Sequence, residues 1–170
     1  ETGYYVDVFR SRKEKGGDKM HDYFYHNLGQ TLTLTAADGS DLNLQPTEEL
    51  AFAGAHLYAY SYLYDKKVAA TAKDVKATFT IDMKDKDGDD IYMNLWMKGE
   101  PDREVFTALA PMTEGLSRTP NMPYNIKEQP TLTFVARQHG EAWNRPFVSI
   151  YEPSTKKEPS AIQSVSYFDA

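Results

Sequence analysis

The chain contains no cysteine, which excludes a disulfide framework and any thiolate metal site. No apolar run approaches the length of a membrane span, so no membrane span is expected. There is no G-x-S-x-G nucleophile elbow and no phosphate-cradling glycine loop, so hydrolysis through an activated serine and nucleotide chemistry have no signature. No cofactor-binding motif is visible, and no cofactor is expected. Histidine is scarce, with four in 170 residues. Positive charge is in deficit: the net charge of −6 argues against nucleic acid as the main partner.

What is present fits a single β-sandwich domain over residues 1–170, long enough to bury a core without staples. Aromatic residues make up 13% of the chain and include twelve tyrosines, a composition that favours strands and is compatible with stacking on sugars. The chain opens on Glu1-Thr2-Gly3 and enters a strand at once, which reads as the cut edge of a longer protein.

Period-two patterning recurs along the chain with turn residues between the runs. Strands are expected over 4–10, 21–27, 31–35, 56–64, 75–84, 91–98, 104–110, 131–138, 146–152 and 162–168, with a short one possible at 41–44. The segment DKDGDD at 85–90, between two alternating runs, predicts a hairpin. Pro46-Thr47-Glu48-Glu49 gives the one credible helix start, with Thr47 as cap. Residues 111–130 carry four of the nine prolines and read as the longest irregular loop. The expected fold is therefore all-β, an antiparallel multi-stranded sandwich with at most one short helix.

The stretch KMHDYFYHNLGQTLTLT, residues 19–35, concentrates the chemistry. On a strand His21, Tyr23, Tyr25 and Asn27 share one face, and Asp22, Phe24 and His26 share the other. His21 and His26 are five apart, so they fall on opposite faces and do not chelate one metal without a bulge. His21 with Tyr23, or His26 with Asp22, can form an acid–base or a ligand pair; the plainer alternative is a histidine hydrogen-bonded into a polar strand face. Residues 10–19 hold five basic groups against Glu14 and Asp18, either a solvated hairpin tip or a polyanion contact. DKDGDD resembles the start of a calcium loop, but the twelfth position is Trp96 where a bidentate glutamate is needed, so it reads as an acidic turn and no metal site is expected.

Three segments in order, YYVDVFRSRKEKGGDKMHDYFYHNLG, IYMNLWMKGEPDREVFTALAP and PTLTFVARQHGEAWNRPFVSIYEP, resemble the later sandwich of heparinase II/III-like polysaccharide lyases. In that family a helical toroid precedes a β-sandwich, and a uronic-acid-containing polysaccharide undergoes β-elimination in the cleft between them. The toroid supplies catalytic Asn, His and Tyr, and metal-binding His and Asp lie earlier in the sandwich. None of these upstream motifs occurs here. The resemblance implies a non-catalytic portion that supports the cleft, in a secreted or periplasmic enzyme. Its partners would be the acidic polysaccharide and the upstream toroid and early sandwich. Arg10, Arg12, His21, Tyr23 and Tyr25 are the residues it points to for substrate contact. A free-standing carbohydrate-binding module and a structural or adhesion sandwich are the rival readings.

Overall fold

The computed structural model describes residues 3–17, 19–51, 55–83, 88–113 and 128–168. Its strands are β1 Tyr5–Ser11, β2 Met20–Asn27, β3 Thr31–Ala36, β4 Gln45–Pro46, β5 Tyr64–Ala70, β6 Val75–Ile81, β7 Ile91–Met97, β8 Arg103–Ala110, β9 Thr131–His139 and β10 Ala142–Thr155. They form two five-stranded antiparallel sheets, ordered β1-β10-β7-β6-β3 and β2-β9-β8-β5-β4. This is the all-β sandwich that the patterning predicts.

The inner faces meet in a core that includes Phe79, Leu95, Met97, Val105, Phe134 and Phe147. Strand β6 shows the reason directly: Val75, Ala77 and Phe79 alternate onto the buried side. The β6–β7 hairpin forms in the register Val75↔Met97 to Ile81↔Ile91. Residues 84–87 of its connection lie outside the described residues. Past them, Asp90 accepts the Met83 amide across the hairpin, and Asp89 accepts the Lys157 amide and ties the hairpin to the chain beyond β10.

A second apolar cluster lies on the outer face of the second sheet. Phe106, Ala108 and Val135 point out of β8 and β9 and are covered by Leu50 and Leu63. Strand β9 is thus buried on both faces, which explains the unbroken apolar run Phe134-Val135-Ala136 at its centre, while its buried polar residues Thr133, Arg137 and Gln138 all have hydrogen-bond partners.

Four expectations need correction. Residues 56–64 do not form a strand: Ala55–Tyr62 is a 3-10 helix, and β5 begins only at Tyr64. Both parities of that run carry apolar or aromatic residues, so its alternation marks no distinct solvent face. A 3-10 turn instead brings Tyr60 and Leu63, three apart, onto the same cluster, with the Leu63 amide donating to the Tyr60 carbonyl at 3.1 Å. The helix expected from Pro46 does not propagate through 47–51, because Leu50 has φ 54° and leaves the helical region. Thr47 Oγ1 still accepts the Glu49 amide at 3.0 Å, but as a local turn. Residues 162–168 are irregular. The Glu152 carboxylate takes the amides of Ala161 and Ile162 at 2.7 and 3.1 Å, so a side chain instead of a strand partner anchors the head of the segment. Residues 41–44 are likewise outside any strand, and Asn43 with φ 55° interrupts them. Of the irregular loop at 111–130, residues 114–127 lie outside the described residues.

Candidate functional site

Strand β2 sits at the edge of its sheet and pairs with β9 from Met20↔His139 to Asn27↔Leu132. Its inward residues face β1 and β10 of the other sheet. The Tyr23 hydroxyl donates to Asp7 Oδ2 at 2.8 Å and also meets Ser149 Oγ and the Tyr151 hydroxyl. Its ring stacks on Phe147 at 5.5 Å and meets Phe9 edge-on at 5.9 Å. Burial pushes the Tyr23 phenol far above its ordinary pKa, so it stays protonated. Tyr25 lies beside it, 4.9 Å from Tyr151 and 5.3 Å from Phe79, and its pKa too is raised, chiefly by burial. Both tyrosines therefore lie between the sheets.

His21 lies at the end of the same face, where its Nδ1 hydrogen-bonds Ser11 Oγ at 2.9 Å. Here the end of β1, the start of β2, the end of β9 and the start of β10 converge, because Ser11 pairs with Ala142 and Met20 with His139. The Gly140 amide donates to the Lys19 carbonyl at 2.9 Å and closes the corner. Arg10 donates to the Trp143 carbonyl, and the Arg12 guanidinium lies 4.6 Å from the centre of the Trp143 ring. Trp143 is 43% exposed, and its loop is shaped by Glu141, which accepts the amides of Trp143 and Asn144, each at 2.8 Å. Arg145 adds a further cation, 3.6 Å from Glu141.

Beneath this end lies Arg103, buried against the Phe147 ring at 4.8 Å with Nε and Nη2 donating to Gln138 Oε1. Burial pushes its pKa down to about 10, which leaves it cationic at neutral pH. Arg10, Arg12 and Arg145 thus surround Trp143 at one end of an acidic protein, with Arg103 buried behind them.

The outward residues of β2 build a second feature. Asp22 receives Arg137 in a bidentate pair, Nε to Oδ1 at 2.8 Å and Nη2 to Oδ2 at 2.9 Å. Tyr60 donates to Asp22 Oδ2 at 2.6 Å, and Arg137 also reaches Glu49 at 3.0 Å. Burial opposes the Arg137 charge, but Asp22 and Glu49 outweigh it and raise the guanidinium pKa. His26 gives its Nδ1 to a hydrogen bond with Thr133 Oγ1 at 2.9 Å, and burial lowers its pKa. Asp22, Phe24, His26, Tyr60, Tyr62 and Leu63 line a groove of about 530 Å³.

The structure therefore brings Arg10, Arg12 and His21 together and sets Tyr23 and Tyr25 behind them, in the core. His26 and Asp22 share a face, with Asp22 committed to Arg137 and Tyr60. His139, distant in sequence, arrives at the basic end and pairs with Glu104 at 2.7 Å. Sequence reasoning missed Trp143, Arg137 and Tyr60. The signal for Arg137 was there: a lone cation within the apolar run TLTFVAR. Among the described residues no three His, Cys, Asp or Glu side chains converge to hold a metal, and no helix is long and apolar enough to cross a membrane.

No protein-family model matches the chain, and no solved structure matches it. An endo-acting ulvan lyase of Formosa agariphila is 35% identical to it over 170 residues. That alignment covers 98% of this chain but 19% of the lyase, so the chain spans about a fifth of the length of this relative. The chain is thus similar to part of a polysaccharide lyase.

Proposed function

We propose that this chain is a non-catalytic β-sandwich portion of a secreted or periplasmic polysaccharide lyase of the heparinase II/III-like type. Its basic end contributes to the cleft where a uronic-acid-containing polysaccharide such as ulvan is cleaved by β-elimination. The observation that carries this reading is similarity along nearly the whole chain to about a fifth of an ulvan lyase.

Two physical features support it. On the edge strand β1 and just before it, Tyr4, Tyr5, Val6, Val8 and Phe9 are between 44% and 72% exposed. An uncovered apolar edge is a site for pairing or docking, and the rest of a larger lyase would have the surface to cover it. The second feature is the basic end. Elimination requires the substrate carboxylate to be neutralised while the proton beside it is removed. Arg10 and Arg12 offer cations for the chain's carboxylates, Trp143 offers a ring for stacking, and His21 stands at the margin with its Nδ1 on Ser11. Tyr23 and Tyr25 hold this wall in place from inside.

The test has two arms. Incubation of the chain with ulvan should leave the absorbance of unsaturated uronates flat; a rise would overturn the non-catalytic reading. In native gels containing ulvan the chain should be retarded, and Arg12→Ala should weaken that retardation about two- to fivefold at low salt, the range expected of one exposed charge. Equal retardation of wild type and Arg12→Ala would remove the basic end from the cleft.

A further inference from the structure

We infer that the groove on the outer face of the second sheet, walled by Phe24, His26, Tyr60 and Tyr62, is a separate subsite that binds a neutral sugar ring by stacking. The inference rests on the polysaccharide reading above, but it uses a different surface of the protein. Its position follows from β2 alone. His26 is five residues beyond His21 and on the opposite face, about 17 Å further along the strand.

The groove has the size of a small-ligand site, and half of its lining residues carry aromatic rings. Phe24 meets Tyr60 edge-on at 5.3 Å and lies 5.9 Å from His26, tilted by 30°. Tyr62 stands half exposed at the rim. These rings are held by polar anchors, Tyr60 by Asp22 and His26 by Thr133. The surface is therefore preorganised, and little ordering is needed on binding. Aromatic faces receive the C–H face of a pyranose, and His26 Nε2 is left for a hydroxyl.

Charge decides which sugar. The one carboxylate in the wall, Asp22, is neutralised by Arg137, and Arg137 in turn is shared with Glu49. Burial keeps His26 neutral, since its pKa is lowered. An anionic residue would find no uncommitted cation here, whereas the basic end offers several. The two surfaces thus sort a mixed polysaccharide by charge, anionic units at the strand's start and neutral units on its outer face.

The experiment titrates the 170-residue chain with ulvan oligosaccharides whose carboxylates have been reduced to alcohols and any sulfate esters removed, read by NMR of the aromatic side chains. Shifts are expected on Phe24, His26, Tyr60 and Tyr62. Tyr62→Ala should weaken binding about three- to tenfold, the contribution of one aromatic face. His26→Gln, which keeps a polar side chain but removes the ring, should weaken it as well. Melting curves of both variants establish that each is folded. Absence of shifts on these rings, or equal affinity of wild type and both variants, overturns the subsite. Intact ulvan oligosaccharides with Arg12→Ala, titrated in parallel, report on the basic end, so either surface can fail without the other.

Discussion

Neutralising Asp22 by Asp22→Asn should be among the most destabilising single changes of charge in this protein. Its carboxylate accepts Arg137 Nε at 2.8 Å, Arg137 Nη2 at 2.9 Å and the Tyr60 hydroxyl at 2.6 Å. The Arg137 and Asp22 side chains are only 8% and 5% exposed, so solvent cannot replace the lost partner. Asparagine fits the same space but turns a donor toward the guanidinium, leaving a buried cation partly unpaired. Breaking such a pair costs about 3–5 kcal/mol. Glu49 remains 3.0 Å from Nη1, and the Arg137 guanidinium still lies 5.2 Å from the Phe106 ring, which places the expected loss near the lower bound, about 3 kcal/mol. For a chain of this size that is a fall in Tm of roughly 6–12 °C. Urea unfolding of wild type, Asp22→Asn, Arg137→Met and the double variant Asp22→Leu with Arg137→Met measures it. The double variant should be more stable than either single one, because it removes both charges together. A loss below about 1 kcal/mol for Asp22→Asn, the range of surface pairs, would refute the account of a buried, desolvated pair.

Acidification acts through His26. Its folded pKa lies below the ordinary 6.5, so the unfolded chain takes up the proton first. Stability should therefore begin to fall as pH drops through 6.5 and level off below the lowered pKa; His26→Gln should flatten that slope in urea titrations run across the window. Gly99→Ala should destabilise by about 1–3 kcal/mol or more, since the added Cβ would lie 2.2 Å from the Ala72 carbonyl oxygen and 2.4 Å from the Lys73 carbonyl carbon, both backbone atoms. Gly3→Ala, where nothing lies within 4 Å, serves as its control in thermal melts.

The sandwich was legible wherever one strand face is apolar and the other is not. Leu32 and Leu34 in β3, or Ala77 and Phe79 in β6, mark a buried face that only an extended chain can produce. Residues 56–64 alternate equally well on paper, yet tyrosines occupy one parity and leucine, alanine and serine the other, so alternation there has no solvent side. Period alone could not separate strand from 3-10 turn; the deciding fact is the outer face of β8 and β9, which needs Leu63 and Tyr60 as cover. The end of the chain was misread for a related reason. Its first amides, those of Ala161 and Ile162, go to the Glu152 carboxylate, and a side-chain acceptor leaves no periodic trace.

The site was legible in type but not in arrangement. The basic run at 10–19 announces a cationic loop. Its aromatic partner, Trp143, lies 133 residues from Arg10 and is delivered only by the β1–β10 register. The parity of β2 was readable, and it separates the two histidines as expected. What sequence could not supply was which partners each face of this edge strand meets. The inner tyrosines meet Asp7, Ser149 and Tyr151 of the opposite sheet, while Asp22 and Phe24 meet Arg137 and Tyr60 on the outside. Because the side-chain period is two, a slip of one residue would put Asp22 and Phe24 where the tyrosines now sit, burying a carboxylate between the sheets and stranding Arg137. That penalty fixes the register of β2. The same fixed register sets His21 beside Ser11 at the basic end and His26 beside Thr133 in the groove, so the positions of both histidines follow from one strand's buried contacts.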